Sequence, residues 1–161
     1  MAMSPSEQHL AVEHKEQAWF GTAPTLNGLC REYNDPSAGE QWLMPQLYDL
    51  GEYAGVRGKM DAQQTRQLAR MIKTNWGYLK TSEVMLFLWN LKSGKYGVFF
   101  GSVDPMVIGQ AMQEHFLPER AAAIDRHNTE LRDQERAQWA QQAATAEQLA
   151  EIIKRQQQRN Q

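Results

Sequence analysis

The sequence predicts an all-α protein, a small helical domain of about five or six helices that continues into a long C-terminal helix. Apolar residues recur every three or four positions in residues 62–76 and 103–116, which is the spacing of one face of an α-helix. Asp61 and Asp104 precede these two segments and suit helix N-caps. Residues 118–161 are rich in Ala, Gln, Glu and Arg and contain no glycine, which favours one long helix.

Changes in composition along the chain predict three parts. Residues 1–17 form an N-terminal helix or arm, and residues 18–125 form a helical globular domain. Residues 126–161 form an extended C-terminal helix rich in Gln and Ala. With 161 residues, of which 42% are hydrophobic and 22% charged, the chain has the composition of a domain with its own core.

Cysteine content and the absence of long apolar stretches indicate in which cellular compartment the protein resides. A single cysteine, Cys30, excludes an internal disulfide. No stretch approaches the roughly 18 consecutive apolar residues that a membrane span requires. The N-terminus lacks the basic segment and apolar run of a secretory signal. We therefore expect a cytoplasmic protein that does not associate with membranes.

Two short helices are predicted at the start of the chain. In residues 5–20, Ser4 supplies the N-cap and proline occupies the first helical position. In residues 22–34, either Thr22 or Thr25 is the cap of a second helix. Both segments end at a turn residue, so we expect them to be short.

The next two helices differ in how clearly the sequence defines them. Apolar residues follow helical spacing through residues 37–53, but Pro45 interrupts the pattern, so the helix either begins near Met44 or kinks at the proline. Asp61 then caps a polar helix that covers residues 62–76.

Residues 81–91 are apolar almost all round, so periodicity alone cannot distinguish a buried helix from a buried strand. Met and Leu outnumber the β-branched residues, and Thr81 and Glu83 suit a helix N-terminus. We interpret this segment as the helix that forms the core.

A glycine-rich connection, residues 92–108, follows this helix and has two interpretations. In the first, the glycines turn the chain while three aromatic residues fill the core, namely Tyr96, Phe99 and Phe100. In the second, Lys92 and Lys95 contact phosphates while Tyr96 or Phe99 stacks on a base or on a partner side chain.

Charge is distributed unevenly along the chain. Residues 57–95 contain eight basic and two acidic residues, whereas residues 1–56 contain two basic and eight acidic residues. A basic middle segment is typical of a nucleic-acid contact, which Arg66, Arg70 and Lys73 would extend. Alternatively, the acidic N-terminal part lies over the basic part, or the basic residues form a solvated face.

The C-terminal helix gives a weak coiled-coil pattern. A heptad placed on Ile124 and Leu131 brings polar residues to core positions, namely Asn128, Glu135 and Gln142. A better apolar stripe comes later, at Ala146, Leu149, Ala150 and Ile153. The helix is therefore either solvated at its end or a surface for self-association or partner capture.

Motifs for catalysis and metal binding do not emerge. The four histidines lack the i, i+4 pairing of metal ligands on a helix, and no carboxylate or cysteine cluster accompanies them. The spacing of the glycines in the connection is not that of a dinucleotide-binding fingerprint, because no strand–turn–helix unit surrounds it. We expect no enzyme, no cofactor and no metal site.

The run from Lys92 to Met106, Lys-Ser-Gly-Lys-Tyr-Gly-Val-Phe-Phe-Gly-Ser-Val-Asp-Pro-Met, resembles a known motif. A family of small uncharacterised proteins from gut Bacteroidetes, found in genomes, phages and mobile elements, carries K-x-G-x-Y-G-x-F-Y-G-x-V-D-P. The likeness continues to Ile124 and extends weakly back to Thr81, with Phe100 where the motif has Tyr. The resemblance implies a mobile-element setting and brings no activity with it.

Together these features predict a non-enzymatic accessory protein of a phage or mobile element that binds DNA or a replication-type protein. The predicted contact residues are Lys92, Lys95, Tyr96 and Phe99, with Arg66, Arg70 and Lys73 in support. The alternative is a protein-interaction or assembly module that self-associates or captures a partner through the C-terminal helix.

Overall fold

The all-α prediction is confirmed. The structure is a computed structural model that describes residues 4–55, 57–99 and 101–159, and these residues contain no β-strand. Their α-helices, in chain order, are α1 (Gln8–Glu13), α2 (Lys15–Phe20), α3 (Leu26–Glu32), α4 (Ala38–Tyr53), α5 (Ala62–Trp76), α6 (Thr81–Lys92), α7 (Pro105–Ala111) and α8 (Leu117–Arg159). A 3₁₀ turn, Pro5–Glu7, precedes α1, and a π-helical turn, Met112–Phe116, joins α7 to α8.

Helix α6 forms the centre of the core, as its apolar sequence predicts. It packs against α1, α2 and α4, while α4 also packs against α3 and α5, and α5 packs against α7. The eight consecutive residues from Thr81 to Leu88 are all buried, which an amphipathic surface helix would not allow. The segment is α-helical from Thr81 to Lys92, so the choice of helix over strand is confirmed.

The predicted helix starts are confirmed where a polar side chain caps the backbone. The Asp61 carboxylate accepts the Gln64 backbone N–H at 2.7 Å, and the Gln64 side chain accepts the Asp61 backbone N–H at 3.0 Å. This reciprocal capping box fixes the start of α5, and the predicted bounds agree with those observed. Thr25, rather than Thr22, caps α3 by accepting the Gly28 N–H at 2.9 Å.

Two helices, α4 and the N-terminal helix, differ from at least one of the structures predicted from local propensity. Helix α4 begins at Ala38 and continues through Pro45, so of the two predicted alternatives the start near Met44 is wrong and the helix that runs through the proline is observed. Burial of Leu43 and Leu47 on either side of the proline accounts for this, because tertiary packing overrides the local preference. The N-terminal helix is interrupted at His14, where φ is −114° and ψ is 52°.

The chain divides into two compact units, one that ends at Arg120 and one that begins at Ala121. Helices α1 and α2 belong to the first unit, in which Ala18 and Trp19 are buried. The second unit is the greater part of α8. Within the described part of the chain, no helix combines the length and the apolar character that crossing a membrane requires.

The first turn of α6 contains a buried carboxylate. Glu83 has no exposed surface, and its two oxygens accept hydrogen bonds from the Lys80 backbone N–H and from Arg120 Nε, each at 2.8 Å. The Arg120 guanidinium also lies over the Tyr78 ring, 5.4 Å from its centroid. The pair fixes the end of the first unit to the start of α6, because a buried carboxylate needs its cation.

We expect Arg120→Ala to lower the free energy of unfolding by about 3 kcal/mol, because the buried Glu83 charge would lose its cation. Arg126→Ala is the matched control, since Arg126 is an exposed arginine of the same helix. The control should change the free energy by less than about 0.5 kcal/mol. Urea unfolding of the full chain measures both, and equal effects of the two variants would contradict this role of Arg120.

Candidate functional site

The glycine-rich connection begins with a Schellman motif at the end of α6. Gly94 has φ of 76°, and its N–H donates to the Leu91 carbonyl at 3.0 Å. The Lys95 N–H donates to the Asn90 carbonyl at 3.0 Å, which completes the motif. A non-glycine residue would be strained at position 94, so the predicted turning role of this glycine is confirmed.

Glu119, near the start of α8, is the centre of a charged network at this connection. Its Oε1 lies 3.0 Å from Lys15 Nζ of α2, and its Oε2 lies 2.6 Å from Lys95 Nζ. The same Oε2 accepts the Tyr96 hydroxyl at 3.1 Å. Three segments that are distant in sequence therefore meet at one carboxylate.

Tyr96 is half-buried, and both its ring and its hydroxyl contact neighbouring residues. Its ring stacks on Phe87 of α6, with centroids 5.9 Å apart, and on His115, with centroids 5.6 Å apart and planes 3° from parallel. Its hydroxyl accepts the Asn90 amide at 3.1 Å and donates to Glu119. The first interpretation, in which this residue packs between helices, matches these contacts.

The network changes the pKa values of Tyr96 and Glu119. Burial raises the pKa of Tyr96 far above its usual value, and the negative charge of Glu119 adds to the rise while the Asn90 hydrogen bond opposes it. Burial also acts to raise the pKa of Glu119, but the hydrogen bonds and charges of Lys95 and Lys15 outweigh it, so this pKa is lowered. The network therefore holds a protonated phenol beside an ionised carboxylate.

Lys92 is the most enclosed of the predicted contact residues. Only 8% of its side chain is exposed, and its ammonium pairs with Asp49 of α4. The same ammonium lies 5.5 Å from the centroid of the Tyr53 ring, a cation–π distance. A phosphate would have to displace these partners before it reached this lysine.

Phe99 lies apart from the Glu119 network. It is half-buried and lines a cavity of about 190 Å³, together with Leu50, Tyr53, Lys92 and Val98. The predicted role of Phe100 in the core concerns a residue outside the described part of the chain. Val98, which also lines this cavity and was not predicted as a contact, is exposed.

The basic residues predicted to support the contact lie on α5. Arg66 is exposed, Lys73 is half-buried, and Arg70 Nε lies 3.4 Å from the Glu40 carboxylate of α4. Among the described residues, no hydrogen bond or ion pair joins these side chains to Lys92 or Lys95. The predicted contact residues within the described part of the chain are therefore not joined into one hydrogen-bonded or ion-paired cluster.

Acidic residues of the N-terminal part pair with several bases of the basic segment. Lys59 pairs with Glu52 at 2.8 Å, Arg70 with Glu40, and Lys92 with Asp49. These contacts are those expected if the acidic part lies over the basic part. The charge excess of residues 57–95 is therefore smaller on the folded surface than in the sequence.

Sequence reasoning did not find Glu119, Lys15 or His115 as parts of this site. The Lys15–Glu119 pair joins residues that are 104 positions apart, and no local sequence pattern predicts such a contact. A single signal was present, because Glu119 follows Pro118 at the start of a polar helix, where acidic residues are favoured. That preference explains why position 119 is acidic, but it does not indicate that Lys15 and Lys95 pair with it.

The C-terminal helix forms a second candidate surface, which belongs to the second unit. Every described residue from Asn128 to Arg159 is exposed. Five large apolar residues lie among them, namely Leu131, Trp139, Leu149, Ile152 and Ile153. The most exposed of these is Trp139, with 72% of its surface accessible. These side chains make α8 a candidate interaction surface.

We expect Glu119→Gln to lower the free energy of unfolding by about 1–2 kcal/mol near pH 7, because two lysines and one phenol lose a charged acceptor. The pKa of Glu119 is lower in the folded state than its ordinary value of 4.5, so the ionised carboxylate stabilises the fold above that pH. This contribution is lost as the pH falls through the lowered pKa. The difference between the wild type and the variant should therefore shrink in acid.

Glu114→Gln is the control for this measurement, since Glu114 is exposed and accepts a hydrogen bond from Gln110. Denaturant unfolding of the full chain near pH 7 and below pH 4 measures all three proteins. A loss from Glu119→Gln that is equal at both pH values would contradict the charged role of this residue.

Comparison with known proteins identifies a family without a described activity. A family model described as a family of unknown function (DUF6633) matches residues 59–160. The searches found no match among curated proteins or among solved structures. The matched segment contains α5 to α8, the glycine-rich connection and the exposed apolar residues of α8, and it covers more than half of the chain. The chain therefore belongs to this family of unknown function, DUF6633.

Proposed function

We propose that this chain is a non-enzymatic protein-interaction module whose C-terminal helix binds another protein chain. One observation carries the proposal: the residues from Asn128 to Arg159 are all exposed, although large apolar side chains lie among them. Most of the stability of a helix in a protein comes from packing of an apolar face rather than from propensity. A second protein chain on α8 would supply that packing.

The identity of the exposed residues supports a protein partner. Trp139 is the most exposed of the large apolar residues on α8, and tryptophan is enriched among the residues that dominate protein-interface energies. Leu149 and Ile153 follow at helical spacing and are more than half exposed. Burial of three such side chains would contribute several kilocalories per mole of transfer free energy, at about 25 cal/mol per Å².

The non-enzymatic part of the proposal rests on the Glu119 network. Titratable side chains meet there, but each is hydrogen-bonded to another member of the network. The raised pKa of Tyr96 keeps its phenol protonated, and the lowered pKa of Glu119 keeps its carboxylate ionised. These protonation states suit a structural contact between α2, the connection and α8.

A second candidate function is nucleic-acid binding through α5. Arg66 and Lys73 make no ion pair within the described residues, so their charges remain available to phosphates. Lys92, Lys95 and Tyr96 are engaged within the fold, which shifts the candidate contact from the connection to α5. Partners in this case would be DNA or a protein of the replication machinery that presents an acidic surface.

The proposed setting is a phage or another mobile element. The support for it is the resemblance of residues 92–106 to the motif of proteins found in such elements. An accessory protein of that kind acts through binding, which suits both candidate functions.

A photoreactive phenylalanine analogue in place of Trp139 should crosslink to a protein chain when the full-length protein is irradiated in the cells that express it. The same analogue in place of Ala144 is the matched control, since Ala144 is also exposed but lies on the side of the helix away from Trp139, Leu149 and Ile153. We expect several-fold more protein adduct at position 139. Equal yields at the two positions would contradict the proposed function.

The nucleic-acid candidate predicts an affinity for DNA that falls as salt rises and that Arg66→Glu/Lys73→Glu lowers about tenfold or more. Lys92→Glu/Lys95→Glu is the comparison, because these lysines are ion-paired within the fold and should affect stability more than DNA binding. Fluorescence anisotropy with single- and double-stranded DNA at two salt concentrations measures the affinity. Absence of binding at low salt would eliminate this candidate.

A further inference from the structure

We propose that two copies of this chain pair through their C-terminal helices in antiparallel orientation, with Ala143 of one copy facing Ala146 of the other. This inference rests on the proposed function and names its partner, a second copy of the chain.

The exposed apolar residues of α8 include a continuous seam that has coiled-coil spacing. Its members follow one another at intervals of four and three, namely Trp139, Ala143, Ala146, Ala150 and Ile153. At about 100° per residue, all five lie within about 80° around the helix. The heptad that carries them is displaced by one residue from the heptad that places Glu135 and Gln142 in the core. In this frame, Ala143 and Ala150 occupy a positions, and the other three occupy d positions.

The charge of the helix favours a copy of itself as the partner. Residues 121–161 contain six acidic residues, Asp125, Glu130, Asp133, Glu135, Glu147 and Glu151. They also contain six basic residues, Arg126, Arg132, Arg136, Lys154, Arg155 and Arg159. Two such helices approach without net repulsion, whereas a strongly charged partner would find no opposite excess to neutralise.

Orientation follows from the two arginines that extend the seam toward the N-terminus. In this heptad, Arg136 is an a residue and Arg132 is a d residue. A parallel pair would place each arginine against its own copy, and like charges at a core position oppose association. An antiparallel pair places a opposite d, so Arg136 meets Ile153 and Arg132 meets Gln157.

The same antiparallel register improves the packing of the seam. It places Trp139 opposite Ala150 and Ala143 opposite Ala146, so a large side chain meets a small one at each end of the contact. Small residues at the centre allow the two backbones to approach closely. In a parallel pair, the two Trp139 rings would instead compete for one layer.

Charges beside the seam also become complementary. In the antiparallel register, the e position Asp133 of each copy faces the e position Lys154 of the other, so the two-fold symmetry forms the pair twice. Within one chain, Arg136 lies 3.6 Å from Asp133 in an exposed pair, which contributes little. Lys154 makes no ion pair within the described residues, so the second copy would supply one.

The test is a charge-reversal cycle on the full-length chain, measured by sedimentation equilibrium. Asp133→Lys alone and Lys154→Asp alone should each raise the dimer dissociation constant about fivefold, because both symmetric pairs become repulsive. The double variant should restore it to within about twofold of the wild type. Glu130→Lys, which makes the same charge change away from the seam, should change it by less than about twofold.

Disulfide crosslinking tests the orientation separately, with Cys30→Ala as the background. Arg132→Cys mixed with Gln157→Cys should form a mixed disulfide, because these positions face each other in an antiparallel pair and lie about 37 Å apart in a parallel one. Disulfides that form instead between two copies of the same variant would overturn the antiparallel orientation.

A chain that stays monomeric at every concentration would overturn the inference of a second copy. The proposed function would survive that result if Trp139 crosslinks to a different protein. If Trp139 crosslinks to no protein at all, both the inference and the proposed function fail.

Discussion

The fold depends on one buried charge, the carboxylate of Glu83. A carboxylate without solvent contact is stable only when a cation and hydrogen-bond donors surround it, and here Arg120 and the Lys80 backbone supply them. Around the same turn, Lys80 Nζ donates to the Trp19 carbonyl at 2.6 Å, and Ser82 donates to the Ala18 carbonyl. The start of α6 is therefore the point where the N-terminal helices, the core helix and the beginning of α8 are joined.

Ion pairs within the fold reduce the number of basic residues that are free to bind a phosphate. A run of basic residues suggests a phosphate-binding face only if the fold leaves those residues unpaired. Here acidic residues of α4 form ion pairs with Arg70 and Lys92, and Glu119 forms an ion pair with Lys95. The connection that carries the recognisable motif is therefore held by internal contacts, although Val98 and Met106 of the motif run are exposed, and five further exposed large apolar residues lie on α8.

Much of the fold could be predicted from local chemistry. Capping by Asp61 and Asp104 and the all-round apolar character of α6 define helices through interactions between residues close in sequence. The sequence left two alternatives for α4, and the burial of Leu43 and Leu47 on either side of Pro45 favours the helix that runs through the proline. The candidate site was predictable only in part. The sequence singled out the glycines and Tyr96, but Glu119 and Lys15, which join the network at Tyr96, come from segments far away in sequence, and no single sequence pattern encodes those distances.

The enclosure of Tyr96 has a spectroscopic consequence. The fold suppresses ionisation of this phenol by removing it from water and by placing the Glu119 charge beside it. The phenolate absorbs at longer ultraviolet wavelengths than the phenol, so the absorbance of Tyr96 would change at a higher pH than that of a tyrosine in water. The chain has five tyrosines, and the difference in absorbance between the wild type and a Tyr96→Phe variant would isolate this one and report its enclosure without any added label.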